Sequence, residues 1–315
     1  MIRMVFLVLL LSGFWALTLW KASKHEANAE ETHPPLGDFV TIDGHRVHYV
    51  QKGTGPDLVL IHGASGNLRD WTFDTVDRLA SRYRVTVFDR PGLGYTDRIN
   101  KTGATITQQA DLLVKASRQV GVTQPIVLGQ SYGGSVALAW AVNHPDDLSA
   151  LVLLAAASMP WDGSLPTYYR ITSNPVLGPV VIPLLTAWVP DRVVESAIDE
   201  TFLPQPAPDG YHDYIGAGLT LRRVSMRANA LQRANLLEEV IKLRPGYEGI
   251  SVPTEILHGD ADTIVGLHIH SEPLSRIIPG SVLTVLDGIG HCPQHVAIPQ
   301  VDAAIDRAAA RAGLR

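Results

Sequence analysis

Ser131 stands in Gly129-Gln130-Ser131-Tyr132-Gly133-Gly134, preceded by the apolar run Pro125 to Leu128 and followed by the small-residue helical pattern Ser135 to Trp140. A serine between a strand and a helix must take a strained backbone angle. Glycines two residues to either side let the two elements approach without Cβ clashes. The pattern marks Ser131 as a candidate nucleophile. A serine hydroxyl attacks a carbonyl only with help: a base for its proton, an acid to orient that base, and donors for the oxyanion that forms.

Those groups follow in order along the chain. The strand-like Val252 to Leu257 runs into the turn His258-Gly259-Asp260-Ala261-Asp262, which sets two carboxylates at a strand's end. Val282 to Leu286 reads as the next strand and ends in Asp287-Gly288-Ile289-Gly290-His291, making His291 the candidate base. Upstream, Asp57 to Ile61 leads into the Gly-rich turn His62-Gly63-Ala64-Ser65-Gly66-Asn67. The backbone N–H groups of Ala64 and Tyr132 are the candidate oxyanion donors. The order serine, aspartate, histidine is that of hydrolases built on an open α/β sheet, and differs from the chymotrypsin and subtilisin orders.

On these segments, together with Asp89-Arg90-Pro91-Gly92-Leu93-Gly94, the chain resembles the α/β-hydrolase superfamily over nearly all of its length after residue 36. The resemblance implies Ser131 as nucleophile, His291 as general base, Asp262 as orienting acid, and Ala64 and Tyr132 as backbone donors. It implies no metal and no organic cofactor. The family's acid falls three residues after the turn glycine, which selects Asp262 over Asp260; a local backbone role is the expectation for Asp260. The other place where relatives carry the acid reads Leu153 to Ser158 here, and no carboxylate stands in it.

Other residues read as structural. His291 and His295 lie four apart, but Pro293 between them disfavours the helix that would set both on one metal. Relatives often carry a glutamate shortly after the histidine; this chain has Cys292-Pro293-Gln294-His295, and no role for His295 follows from its spacing. The Asp89 to Gly94 loop suits a tight turn near the site's rim. Cys292 is the only cysteine, so no intrachain disulfide forms, and a small packing residue is the expectation.

The 315 residues are 46% hydrophobic and 18% charged, enough for one large core with an inserted subdomain. The net charge of -5 and the lack of a Lys/Arg stripe give no field for nucleic acid. The expected fold is α/β, a mostly parallel sheet flanked by helices, with an inserted helical cap and an N-terminal membrane segment. Residues 1–21 read as a transmembrane anchor or signal segment, because Met4 to Trp20 carries no charge and Arg3, Lys21 and Lys24 flank it. A polar linker is expected over 22–36, the first part of the core over 37–158, the cap over 159–249 and the second part of the core over 250–315. Asp43-Gly44 marks a hairpin at the start of the core. In the cap, Val176 to Val189 is apolar and interrupted by Pro183, a segment suited to cap packing, an acyl pocket or contact with lipid.

The functional expectation is a serine hydrolase acting on an ester, or a thioester or amide, of a small apolar acyl substrate. The same residues also serve carbon-carbon bond hydrolysis and cofactor-free perhydrolysis, and a non-catalytic binding member of the fold is the rival from another class. The expected location is the membrane, held by a single N-terminal span with the catalytic domain outside the cytoplasm. The alternative is a secreted protein after cleavage near Ala27-Asn28-Ala29.

Overall fold

The computed structural model describes all residues from Met1 to Arg315. Eight strands form one sheet: β1 (Asp38–Ile42), β2 (His45–Lys52), β3 (Asp57–Ile61), β4 (Arg84–Phe88), β5 (Ile126–Gln130), β6 (Ala150–Leu154), β7 (Thr254–Gly259) and β8 (Val282–Leu286). Their order is β1-β2-β4-β3-β5-β6-β7-β8, antiparallel at β1-β2 and β2-β4 and parallel from β4 onward. The Asp43-Gly44 turn joins β1 to β2 with both residues at positive φ, 50° and 84°, as a two-residue hairpin loop demands.

The helices before the cap are α1 (Ile2–Thr32), α2 (Arg69–Thr72), α3 (Thr75–Leu79), α4 (Ile106–Gln119) and α5 (Tyr132–Asn143). Between β6 and β7 come α6 (Thr167–Ser173), α7 (Gly178–Trp188), α8 (Asp191–Phe202), α9 (Tyr211–Ile215), α10 (Ala217–Thr220) and α11 (Arg223–Leu243), which form the cap. The chain closes with α12 (Ser271–Ile277), α13 (Pro293–Val296) and α14 (Ile298–Arg311).

The core strands are buried on both faces, as parallel strands wrapped by helices must be. Their alternation divides the core in two. Val59, Ile61, Val127, Leu151 and Leu153 pack with α4 and α5, while Leu58, Leu60, Ile126, Leu128, Val152 and Leu154 pack with α3 and α14. This two-sided burial is why the sequence shows short continuous apolar runs at β3, β5 and β6.

The N-terminal helix differs from its sequence reading. The segment expected as a linker over 22–36 continues α1 as far as Thr32. Its polar residues are polar because they meet partners in the cap. His25 Nε2 lies 2.8 Å from Asp191, Glu26 binds Arg223 at 2.6 Å and Glu30 binds Arg222 at 2.9 Å. Ala22 and Ala29 on the same stretch are buried. Nearer the N-terminus, Phe14 stacks on Trp188 of α7, and Lys21 Nζ sits 3.7 Å from the centre of the Trp188 ring. Pro183 does not break the apolar cap segment either. It lies inside α7, and the sharp bend of 116° falls between α6 and α7.

Candidate active site

Four loops that carry the candidate residues leave the carboxyl ends of β3, β5, β7 and β8. β3 and β5 are direct neighbours with Ile61 opposite Gly129, so the His62-Gly63-Ala64 loop emerges beside Ser131. β7 and β8 are neighbours with Gly259 opposite Leu286, which sets Asp262 beside His291. Loops at the carboxyl ends of adjacent parallel strands are where open α/β sheets bind ligands.

Ser131 has φ 53° and ψ -119°, a conformation that costs a non-glycine residue about 1–3 kcal/mol. The turn is held by its neighbours. Ser131 N–H donates to Leu154 O at 2.9 Å, and its carbonyl accepts from Gly134 and Ala157. A Cβ on Gly129 would overlap the Gly133 carbonyl, and a Cβ on Gly133 would overlap the Ile61 carbonyl. Both glycines are therefore required by close approach of backbone.

The β3 loop is fixed by a buried cation. Arg90 Nε donates to His62 O at 3.0 Å and Nη2 to Gly63 O at 2.8 Å, while Nη1 reaches Gln109 and Gln232 at 2.9 Å each. Its guanidinium also lies 4.3 Å from the centre of the Tyr132 ring, so one side chain braces both candidate oxyanion residues. Burial lowers the Arg90 pKa to about 10, still a cation at neutral pH. The Arg90 backbone N–H donates to His62 Nε2, so the other ring nitrogen, Nδ1, carries the proton given to Gly63 O at 2.9 Å. Burial, reinforced by Arg90, pulls the His62 imidazole down to about 4. The Ala64 and Tyr132 N–H groups donate to no acceptor within the protein.

Asp262 lies at the centre of the second loop pair. His291 Nδ1 donates to its Oδ2 at 2.7 Å, and Ile264 and Val265 N–H donate to its Oδ1 at 2.8 and 2.9 Å. His258 Nε2, fixed as a donor by the Val265 carbonyl at 2.7 Å, also faces Oδ2 at 3.2 Å. Burial opposes ionisation, but these donors and the His291 ring outweigh it and hold the carboxyl far below its usual range. Asp260 turns away and accepts from Gly288 N–H at 2.7 Å. His291 reaches across to the serine turn, since Gln130 Nε2 donates to His291 O at 3.0 Å. No hydrogen bond joins the Ser131 hydroxyl to His291 in this conformation. Such contacts are commonly long in unliganded sites.

Reading along the chain missed several residues that hold this arrangement: Arg90, Gln130, His258 and the cap residues that reach it. Asn229 of α11 accepts from Ser65 N–H at 2.9 Å and donates to Ser65 Oγ at 2.8 Å, fixing the residue after Ala64. The Asp-Arg dipeptide after β4 was the available signal for Arg90, and the histidine before the acid turn the signal for His258. His295, whose spacing assigned it no role, donates to Asp70 at 2.8 Å, while His291 turns to Asp262. Cys292 is buried against Phe202 and Tyr211, and burial pushes its thiol well above the ordinary range, as befits a packing residue.

Comparison with known proteins agrees with the geometry. The sequence profile described as alpha/beta hydrolase fold matches residues 56–187. The chain is 29% identical over 259 residues to a pimeloyl-[acyl-carrier protein] methyl ester esterase of Vibrio campbellii, covering 78% of this chain and 92% of that one. It is 26% identical over 267 residues to haloalkane dehalogenase 2 of Mycobacterium tuberculosis, covering 82% and 90%. An alpha/beta hydrolase fold protein from Burkholderia ambifaria superposes with a TM-score of 0.72 at 23% identity, over 86% of this chain and 98% of that one. A bacterial membrane phospholipase A superposes with a TM-score of 0.66 at 22% identity, over 98% of this chain and 99% of that one. With strand order, serine turn and loop placement in agreement, the chain belongs to the α/β-hydrolase superfamily.

Proposed function

We propose that the protein is a membrane-anchored serine hydrolase that cleaves carboxylic esters of apolar acyl substrates through an acyl-enzyme. The observation that carries this reading is the convergence of three things: Ser131 on its strained turn, the Asp262–His291 pair, and two unengaged backbone N–H groups beside the serine. Because His291 gives its Nδ1 proton to Asp262, its Nε2 is the nitrogen left to accept the Ser131 proton. The serine oxygen attacks the acyl carbon, and Ala64 and Tyr132 N–H stabilise the negative oxygen. His291 then returns the proton to the departing alcohol oxygen. Water enters by the same route in reverse: His291 takes its proton, the hydroxyl oxygen attacks the acyl carbon, and Ser131 leaves carrying the proton back. A serine at position 131 does not suit alkyl-transfer chemistry, which uses a carboxylate nucleophile.

Apolar substrates suit the apolar surface that α1 and the cap present. The uncharged run Met4 to Trp20 is exposed along most of its length in α1 and is roughly 26 Å long as a helix, close to the thickness of a bilayer's hydrocarbon core. Beside it the cap exposes Val176, Leu177, Val180 and Trp188 on an uncharged stretch, a surface suited to the lipid interface. The similarity to the membrane phospholipase A extends over 98% of the chain and so reaches into this helix, which supports acyl esters drawn from a bilayer. The catalytic domain is assigned to the extracytoplasmic side, as is usual for an N-terminal hydrophobic segment.

The test is intact mass of detergent-solubilised protein after a fluorophosphonate, comparing wild type with Ser131→Ala. The expected result is one adduct, lost in the variant together with ester turnover. A folded wild type that takes no adduct, or a Ser131→Ala variant that keeps its turnover, rejects the reading.

A further inference from the structure

Asp70 stands where three parts of the molecule meet. It lies in α2, which follows the His62-Gly63-Ala64 loop, and it is almost wholly buried. Its Oδ1 accepts from Tyr211 Oη of the cap at 2.7 Å and from His295 Nε2 at 2.8 Å. Phe73, Phe202 and Tyr211 close around the His295 ring with centroids 6.1, 5.7 and 5.0 Å away. Burying a carboxylate among aromatic rings is a poor route to stability, because well-packed apolar side chains hold such a junction as well or better. What a carboxylate with converging donors adds is a single allowed orientation.

That orientation bears on His291. α13 starts two residues after it, and His295 N–H donates to Cys292 O at 3.1 Å, so the helix bearing His295 is the immediate continuation of the base loop. The cap grips the same loop from its other side. Gln205 Nε2 donates to Gly288 O at 2.7 Å, Gln205 Oε1 accepts from Gly290 N–H at 3.0 Å, and Leu203 O leaves no room for a Cβ at Gly290. The stretch from Leu203 to Tyr211 thus touches the base loop through Gln205 and the helix after it through Asp70.

We infer that Asp70, Tyr211 and His295 form a positioning centre that orients the His291 imidazole toward Ser131 when this stretch of the cap is seated, so that cap docking and base alignment are one event. The inference rests on the proposed role of His291 as base. Burial opposes ionisation of Asp70, but the His295 and Tyr211 donors outweigh it and lower its pKa, while burial beside Asp70 keeps Tyr211 protonated. Both groups thus stay in the forms that the hydrogen bond requires.

The experiment compares wild type with Tyr211→Phe, His295→Phe and His295→Gln, the last supplying an amide N–H in place of Nε2–H. Turnover of p-nitrophenyl butyrate, the rate constant for fluorophosphonate labelling, and the thermal midpoint are measured on each. In the two Phe variants kcat is expected to fall roughly 10–100-fold, with labelling slowed by the same factor and KM within about twofold, and His295→Gln to recover most of the loss. Folded Phe variants with wild-type kcat and labelling overturn the inference. So does a loss confined to KM, or one that merely follows the fraction unfolded. An unlabelled wild type rejects the serine-hydrolase reading instead, and the same measurement shows it.

Discussion

At the scale of single residues, two neighbouring carboxylates part company. Asp262 collects donors from His291, His258 and two backbone N–H groups, while Asp260 caps the turn at Gly288. Asp262→Asn is therefore expected to lower kcat on the order of 10³–10⁴-fold, and Asp260→Asn less than about tenfold, in steady-state ester hydrolysis. Arg90→Lys keeps the charge but loses the planar fork that binds the His62 and Gly63 carbonyls and two glutamines together. It is expected to destabilise by about 3 kcal/mol in denaturant unfolding and to slow turnover. Glu239 gives a pH signature. Burial raises its carboxyl to about 7; Oε2 accepts from Ile106 N–H, and Oε1 has no partner. A folded-state pKa above the unfolded value of about 4.5 contributes stability that is complete below that value and is lost as pH rises through about 7. Relative to Glu239→Gln, the wild type is expected to lose on the order of 1–3 kcal/mol between about pH 5 and pH 8. His62, with its imidazole depressed to about 4, has the opposite sign: its contribution is present above about 6.5 and falls away as pH drops toward 4.

At the scale of elements, α1 has two halves with different surroundings. The first, to about Trp20, is apolar and exposed except where Phe14 and Thr18 meet Trp188 of α7, and the second is clamped to the cap by Glu26–Arg223, Glu30–Arg222 and His25–Asp191. Arg222 also donates to Gly94 O and stacks over Tyr95, and the Tyr95 hydroxyl donates to His33 O at 2.6 Å. A chain lacking residues 2–21 gives up the contacts of Phe14, Thr18 and Lys21 with Trp188 and is expected to melt only slightly lower in detergent-free buffer. One lacking residues 2–34 is expected to melt several degrees lower, since each half-exposed ion pair is worth only about 0.2–1 kcal/mol but several go together with Ala22 and Ala29. Equal midpoints for the two truncations refute the docking of the second half.

At the scale of the whole molecule, the sheet gathers four loops at the carboxyl ends of its strands, the cap reaches two of them through Asn229 and Gln205, and α1 projects an apolar rod from the cap's side. An apolar helix packed on an apolar cap element gives one continuous greasy surface. Full-length protein is accordingly expected to float with lipid vesicles, and the form lacking residues 2–21 to bind them far more weakly. A truncated form that floats as fully as the intact chain contradicts the anchor.

The core strands and the candidate site residues are local properties of the chain. Gly129, Ser131 and Gly133 are legible because a strained turn between strand and helix demands those residue types within a few positions of one another. Asp262 and His291 are legible because each follows an apolar strand through a short Gly-containing turn. Ala64 and Tyr132, the proposed backbone donors, follow from their neighbours for the same reason. Tertiary structure decided what holds these groups in place. Arg90 meets Gln232 across 142 residues and His295 meets Asp70 across 225, and no local pattern encodes a partnership of that range. The second half of α1 was misread on the same ground. Glutamate, histidine and asparagine between two ordered segments look like a linker until Arg222, Arg223 at the start of α11 and Asp191 of α8 fold back against them. Short-range steric demands are written in neighbouring residues, whereas the pairing of buried charges is settled only when distant segments are brought together.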